Sequence, residues 1–201
     1  GIRSPNPFWL ASAPPTNSAY QVAKAFEQGW GGAVWKTIGE PVMNVYNRYG
    51  AIDLNGEKIA GLNNIELISD RPIEVNLREI AETKKLWPDR AVIASLMVES
   101  KRETWRDIVK RTIDTGCDGI ELNYGCPHGM SERGMGSAVG QVPEYCAMIT
   151  EWVTEVSTIP VPASEPPPWI TSVPFAGPYS GACAKVLPIR RVAKRPNLSF
   201  I

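Results

Sequence analysis

Gly119-Ile120-Glu121-Leu122-Asn123-Tyr124-Gly125-Cys126-Pro127-His128-Gly129-Met130-Ser131-Glu132-Arg133-Gly134-Met135-Gly136 reads as a strand running into a glycine-studded loop. Asn123 and Cys126 fall at the strand's C-terminal end. In a parallel α/β barrel that end is where chemistry is done, and a loop of this length beyond it reads as a mobile cover. A lone Cys is ordinarily a small buried hydrophobe. The setting of Cys126 is what singles it out.

On either side of this stretch, strand and helix signals alternate, as expected of a parallel sheet. Phe8 to Ser12 is predicted as a strand, and Ser18 to Gln28 as a helix with Asn17 or Ser18 as its N-cap and Gly29 as its stop. Ala33 to Thr37 is the second strand. In the connection that follows, Asn55-Gly56 between Ile52 and Ile59 is a hairpin signal. Pro72 to Leu86 is a helix, and Ala91 to Met97 the third barrel strand. Ser100-x-x-Glu103 has the form of a capping box ahead of a stripe of Trp105, Ile108, Val109, Thr112 and Ile113. After the fourth strand, Gly119 to Asn123, Pro143 opens a helix whose face is Tyr145, Met148, Ile149, Trp152 and Val156. Four βα units are legible. The fold class is α/β, of (β/α)8 TIM-barrel lineage and incomplete, since a full barrel runs to about 250 residues and this chain has 201.

The composition is that of a soluble globular protein: Lys plus Arg equals Asp plus Glu at 21 each, and 43% of residues are hydrophobic. Nucleic-acid and membrane partners are not expected. There is no apolar run of membrane-spanning length and no N-terminal signal pattern, so the expected location is cytoplasmic. A first residue that is Gly suggests a trimmed chain. Cys117, Cys126, Cys146 and Cys183 contain no C-x2-C pair, and His128 is the only His, so no metal or iron-sulfur site is expected. Gly134-x-Gly136-x-x-x-Gly140 is one residue off the dinucleotide fingerprint and follows a loop, which argues against nicotinamide binding here.

The pattern breaks after Pro160. Residues 161–201 hold 8 of the 18 prolines and five basic residues against one acidic, and Pro160 and Pro162 are expected to spoil a fifth strand over Ile159 to Ala163. We therefore divide the chain into residues 1–160, the N-terminal part of a barrel, and residues 161–201, a Pro-rich, basic and irregular tail.

Several separated motifs together resemble the dihydroorotate dehydrogenase-like flavoprotein family over residues 1–160: Asn6-Pro7-Phe8 with Leu10-Ala11-Ser12-Ala13, Ala25-Phe26-Glu27 with Gly29-Trp30-Gly31, Lys36-Thr37, Asn64-Ile65-Glu66-Leu67-Ile68-Ser69, and the Cys126 loop. His128 after Cys-Pro, followed by Gly-Met and Glu-Arg-Gly-Met-Gly, is similar to the dihydropyrimidine dehydrogenase branch rather than to the dihydroorotate branch. The resemblance implies FMN at the barrel mouth and reduction of uracil or thymine to the 5,6-dihydropyrimidine. It implies NADH-derived electrons arriving through FAD and iron-sulfur clusters on a partner subunit or missing domain.

The same resemblance makes Cys126 the proton donor and acceptor at C5. A Cys with an ordinary pKa of about 8.5 is mostly thiol at neutral pH and can give up that proton. Asn64 and Asn123, with Tyr124 and Gly125 beside the latter, become the substrate-binding set. Carboxamides match the alternating C=O and N–H edge of a pyrimidine without setting a charge against it. Ser12, Lys36 and Thr37 match flavin contacts, Lys36 being able to stabilise negative charge on the reduced ring, and Gly181 in Tyr179-Ser180-Gly181 echoes a later one. The family's Lys beyond the fifth strand is replaced by Ser164, and its late Asn-Thr pair and phosphate-binding glycine segments have no match. The alternatives are a dihydroorotate dehydrogenase, or a truncated, inactive relative acting as an assembly module. Four units with open edges also lead us to expect self-association and weak FMN binding.

Overall fold

The structure, a computed structural model, describes residues 1–42, 48–63, 67–126 and 133–164. Five strands form one parallel sheet in sequential order: β1 (Trp9–Leu10), β2 (Gly32–Val34), β5 (Ala91–Leu96), β6 (Gly119–Asn123) and β7 (Ala163–Ser164). Helices α1 (Ala19–Glu27), α2 (Ile73–Leu86), α3 (Arg102–Ile113) and α5 (Pro143–Thr154) occupy the connections, with a short α4 (Ser137–Gly140) before α5. Each strand pairs with the next one along the sheet, the arrangement of a (β/α) barrel opened along one side.

Strand β5 is buried at every position, and its near-continuous apolar run is what a parallel strand covered on both faces requires. Val92, Ala94 and Leu96 join Ala33, Ile120 and Leu122 in packing against Val22 and Phe26 of α1, Leu77 and Ile80 of α2, Trp105 and Val109 of α3, and Ile149 and Val153 of α5. The intervening residues face the other way. Val34 pairs with Ile93, and Ser95 with Glu121, on the face that a closed barrel turns inward.

Most predicted elements are present, with instructive differences. Ser18 caps α1 by accepting from the Gln21 amide. Asn55 and Gly56, at φ of 57° and 83°, make the hairpin turn between β3 (Arg48–Leu54) and β4 (Glu57–Asn63), with Ile52 opposite Ile59. The capping box does not form: Lys101 is the N-cap of α3, and the Ser100 hydroxyl donates instead to Gly134 O at 2.8 Å. Tyr145, expected on the inner face of α5, is exposed, and Val153 takes the buried position.

The spoiled fifth strand needs a larger correction. Ile120 N donates to Pro160 O at 2.9 Å and Leu122 N to Pro162 O at 3.0 Å, after which Ala163 and Ser164 pair in register with Leu122 and Asn123. Proline lacks the donor but keeps the acceptor, so this segment docks by receiving hydrogen bonds from β6. The sheet thus has five strands where four were expected, and β7 falls inside the stretch read as irregular tail.

A buried polar cluster ties α1, α2 and the end of β2 together. Asn76 accepts from Trp35 Nε1 at 3.0 Å and donates to Arg71 O and Pro72 O, while Ser69 N donates to Thr37 O at 2.7 Å. Arg71 holds both oxygens of Glu79, and Glu79 Oε2 also accepts from Ala19 N, the first residue of α1, at 2.8 Å. Asn76→Ala should strand the Trp35 indole N–H in the core at a cost of about 1–3 kcal/mol, read as a lower urea midpoint at unchanged slope.

The Arg71 hydrogen bond holds the Glu79 carboxyl below its ordinary value of 4.5 against the opposing effect of burial. A depressed carboxylate contributes stability that is full above its unfolded-state value and is lost as pH falls through the folded one. Glu79→Gln should therefore flatten the fall in melting temperature between about pH 5 and pH 3. A variant with the parent's acid limb would assign that limb to other carboxylates.

Candidate functional site

At the C-terminal ends of the strands, the inward face changes from apolar to polar. Thr37 follows β2 and its side chain is buried. Its Oγ1 lies 3.1 Å from Ser12 Oγ, 2.9 Å from Ser95 Oγ and 2.8 Å from Asn123 Nδ2. Residues from β5 and β6 and from the segments after β1 and β2 therefore meet on one oxygen. A hydroxyl has one proton and two lone pairs, so these three partners fill it. Because Asn123 Nδ2 can only donate, one serine must donate to Thr37 and the other accept from it.

Asn123 is used just as fully. Its Oδ1 accepts from Gly125 N at 2.9 Å and Cys126 N at 3.1 Å, and its Nδ2 donates to Thr37 and to Cys126 Sγ, the latter at 3.1 Å. The carboxamide folds the chain after β6 into a tight turn that brings the thiol back over the strand end. The Cys126 carbonyl is held too, accepting from Ser137 N at 3.1 Å at the start of α4. Gly136 makes that approach possible. It sits at φ 56°, and a Cβ there would lie 2.2 Å from Cys126 O.

The thiol is half-buried beside Ile68, Met97 and Met135, a small apolar cluster separate from the main core. Lys36 is half-buried just after β2, its charge acts on the Asp70 carboxylate, and its backbone N donates to Thr16 O at 3.0 Å. Below Thr37, Ser95 is paired across the strands with Glu121, whose carboxyl burial pushes above its ordinary value while Ser95 opposes the shift. That shift favours the neutral acid on the inward face.

Ser12, Lys36, Thr37, Asn123 and Cys126 are thus at one end of the sheet, with Gly125 in the turn. Tyr124 is different. Side chains alternate along the strand, so Glu121 and Asn123 face inward while Leu122 and Tyr124 face the helices. The Tyr124 ring is buried in the main core, its hydroxyl lies 3.1 Å from Thr150 Oγ1, and burial pushes its phenol up to about 12. Only the Tyr124 backbone is at the mouth, so the main chain is the part of Tyr124 placed to meet a substrate. Asn64, His128 and Gly181 lie outside the described residues.

Ser95, Glu121 and the Gly136-Ser137 pair were missed from sequence. The signal for the first two was present: each is a polar residue inside an otherwise apolar, buried strand, and such residues need a partner. Among the described residues, no group of three or more His, Cys, Asp or Glu is placed to hold a metal ion, and no helix is long and apolar enough to cross a membrane.

A parallel (β/α) sheet that gathers a thiol, a carboxamide and three linked hydroxyls at its C-terminal edge has the layout of a barrel-mouth site. Residues 62–164 match the dihydrouridine synthase (Dus) family. The chain belongs to that family of FMN-type TIM barrels. It is similar to the chloroplastic dihydropyrimidine dehydrogenase (NADP(+)) of Arabidopsis thaliana, 42% identical over 178 residues, covering 83% of this chain and 41% of the relative. It is 38% identical over 168 residues to the NAD-dependent dihydropyrimidine dehydrogenase subunit PreA of Escherichia coli K12, covering 83% and 40%. Over 161 residues it is 28% identical to the catalytic subunit of dihydroorotate dehydrogenase B (NAD(+)) of Thermoplasma acidophilum, covering 80% and 50%. The chain spans about two fifths of the length of the first two relatives.

Gly136→Ala tests the closure of the loop. The added methyl would meet backbone, and the backbone at φ 56° and ψ −121° lies in a region sparsely populated by non-glycine residues, which alone costs on the order of 1–3 kcal/mol. Loss of the Ser137 N to Cys126 O bond should appear as faster hydrogen exchange at the Ser137 amide together with a lower melting temperature. Unchanged exchange would show that the loop closes without this contact.

Proposed function

We propose that this chain supplies the N-terminal, ring-binding part of an FMN-dependent oxidoreductase that reduces uracil or thymine at the 5,6 bond, with Cys126 as the general acid. The observation that supports this most directly is the Cys126 thiol at the end of β6, 3.1 Å from the Asn123 amide nitrogen and bordered by Ile68, Met97 and Met135. The likeness to two dihydropyrimidine dehydrogenases favours uracil or thymine, which lack a ring carboxylate, over dihydroorotate.

The residues present fit the ring end of a flavin. Ile68, Met97 and Met135 are buried and back the thiol rather than face a ligand, so the groups available to a flat heterocycle are the half-buried Lys36, as a cation for its polar edge, and the half-buried Ser12, as a hydroxyl. The Thr37 hydroxyl is filled by protein partners, so Thr37 would meet the cofactor through its backbone or methyl group. FMN, when bound, supplies hydride transfer to one carbon of the pyrimidine double bond. Cys126 holds a proton on Sγ and gives it to the neighbouring carbon. The amide N–H from Asn123 then stabilises the sulfur as it becomes negative, and the same geometry serves the reverse step.

In this reading the barrel portion of the described residues runs to the end of β7. Electrons come from a partner subunit or domain carrying FAD and iron-sulfur clusters, and the chain works in the cytoplasm. Among the described residues β1 and β7 each pair on one side only, and such edges favour self-association of the chain alone.

Cys126→Ala in the flavin-loaded form should lower pyrimidine reduction by at least about 100-fold, the usual scale for losing a positioned acid, with flavin content unchanged. Turnover at the parent rate would remove Cys126 from the chemistry. For the substrate, FMN absorbance of the full chain is recorded during additions of dihydrouracil and dihydroorotate. Bleaching by the first alone supports the proposal, and bleaching by the second alone replaces it with dihydroorotate oxidation.

A further inference from the structure

The Asn123 side chain, read from sequence as a substrate amide, has every hydrogen-bonding position occupied by protein groups. Two backbone N–H groups enter Oδ1, and the two protons of Nδ2 go to Thr37 Oγ1 and Cys126 Sγ. Both bonds to Oδ1 come from the turn that carries the thiol. The Thr37 bond, at 2.8 Å, connects the amide to the rest of the barrel interior. Thr37 is in turn fixed by Ser95 Oγ at 2.9 Å, from the centre of the fully buried β5.

We propose that Thr37 is a positioning residue for the catalytic thiol: by taking one Nδ2 proton it holds the Asn123 carboxamide in the single orientation that aims the other at Cys126 Sγ, with Ser95 anchoring Thr37. The relay runs from Ser95 through Thr37 and Asn123 to the sulfur, and crosses from β5 to the end of β2 to β6. Its physical basis is that Asn123 is buried at 7% exposure and cannot exchange a lost partner for water. Without the Thr37 oxygen, the amide must turn to satisfy its stranded proton, and it gives up the sulfur in doing so. An N–H donated to sulfur favours the thiolate, which is the nucleophile in alkylation. The inference rests on the reading of Cys126 as the reacting thiol, yet it concerns the resting protein. It can be tested with neither flavin nor substrate, and so it fails separately from the proposed reaction.

The test is the rate of iodoacetamide alkylation of the full chain at pH 7.5, resolved by peptide mass spectrometry. Cys117, buried at 4% exposure, serves as the gauge of folding. Thr37→Val keeps the shape and removes the oxygen, and should slow modification of Cys126 by about three- to tenfold while Cys117 stays protected. Thr37→Ser restores the oxygen and should restore the rate, and Asn123→Ala, which removes the donor itself, should slow it at least as much as Val. A Thr37→Val protein that modifies Cys126 at the parent rate or faster with Cys117 protected overturns the proposal. So does a Thr37→Ser protein as slow as the Val variant. Should Val open the core and expose Cys117, Ser95→Ala is judged in its place. That variant removes the anchor, together with the Ser95 contact to Glu121, and leaves the Thr37 oxygen in place; it is expected to slow Cys126 by a smaller factor, and overturns the proposal if Cys126 reacts at the parent rate.

Discussion

One hydroxyl organises this half-barrel. Thr37 Oγ1 is where Ser12 beyond β1, Ser95 within β5 and Asn123 at the end of β6 converge, so the strand ends are tied together by side chains as well as by the ladder. Backbone pairing fixes the spacing of strands but leaves their ends free to fray. A saturated hydroxyl in a buried setting removes that freedom, because losing any one partner strands a polar group away from water. The consequence reaches the thiol only because Asn123 uses one nitrogen for Thr37 and for Cys126 at once.

Much of this arrangement was legible before the coordinates. The strand and helix order followed from apolar runs and their breakers, and the Asn55-Gly56 turn from its demand for two left-handed residues. Cys126, Asn123, Lys36, Thr37 and Ser12 were picked out by motif, and the sheet places all five at its C-terminal edge. What sequence did not show was direction. Tyr124 sits in the same motif, yet side-chain alternation sends its ring into the helix layer. Asn123 looked like a ligand amide because a carboxamide is chemically suited to a pyrimidine edge, and only geometry shows its four positions filled. Ser95 and Glu121 were overlooked because attention to motifs passed over single polar residues within apolar strands.

The proline segment teaches a related point about ladders. Pro160 and Pro162 were read as barriers to a strand, but in a parallel pairing a residue contributes an acceptor and a donor separately. The β6 amides Ile120 N and Leu122 N find their acceptors on the proline carbonyls, so β6 is satisfied while the incoming segment contributes no proton at those positions. Ala163 and Ser164 then take up regular parallel pairing with Leu122 and Asn123, so the proline carbonyls seat the segment and the residues after them continue the ladder.

The thiol's surroundings connect these constraints to chemistry. A general acid needs its proton in one place at the moment the carbon accepts it, and its conjugate base needs a partner that is already there. Cys126 has its backbone N bonded by Asn123, its carbonyl bonded by Ser137, and its sulfur facing an amide proton on one side and Met97 and Met135 on the other. None of these groups carries a charge. In the reaction proposed above, the Asn123 amide proton is the partner that meets the sulfur as it becomes negative, and it is in place before the step begins.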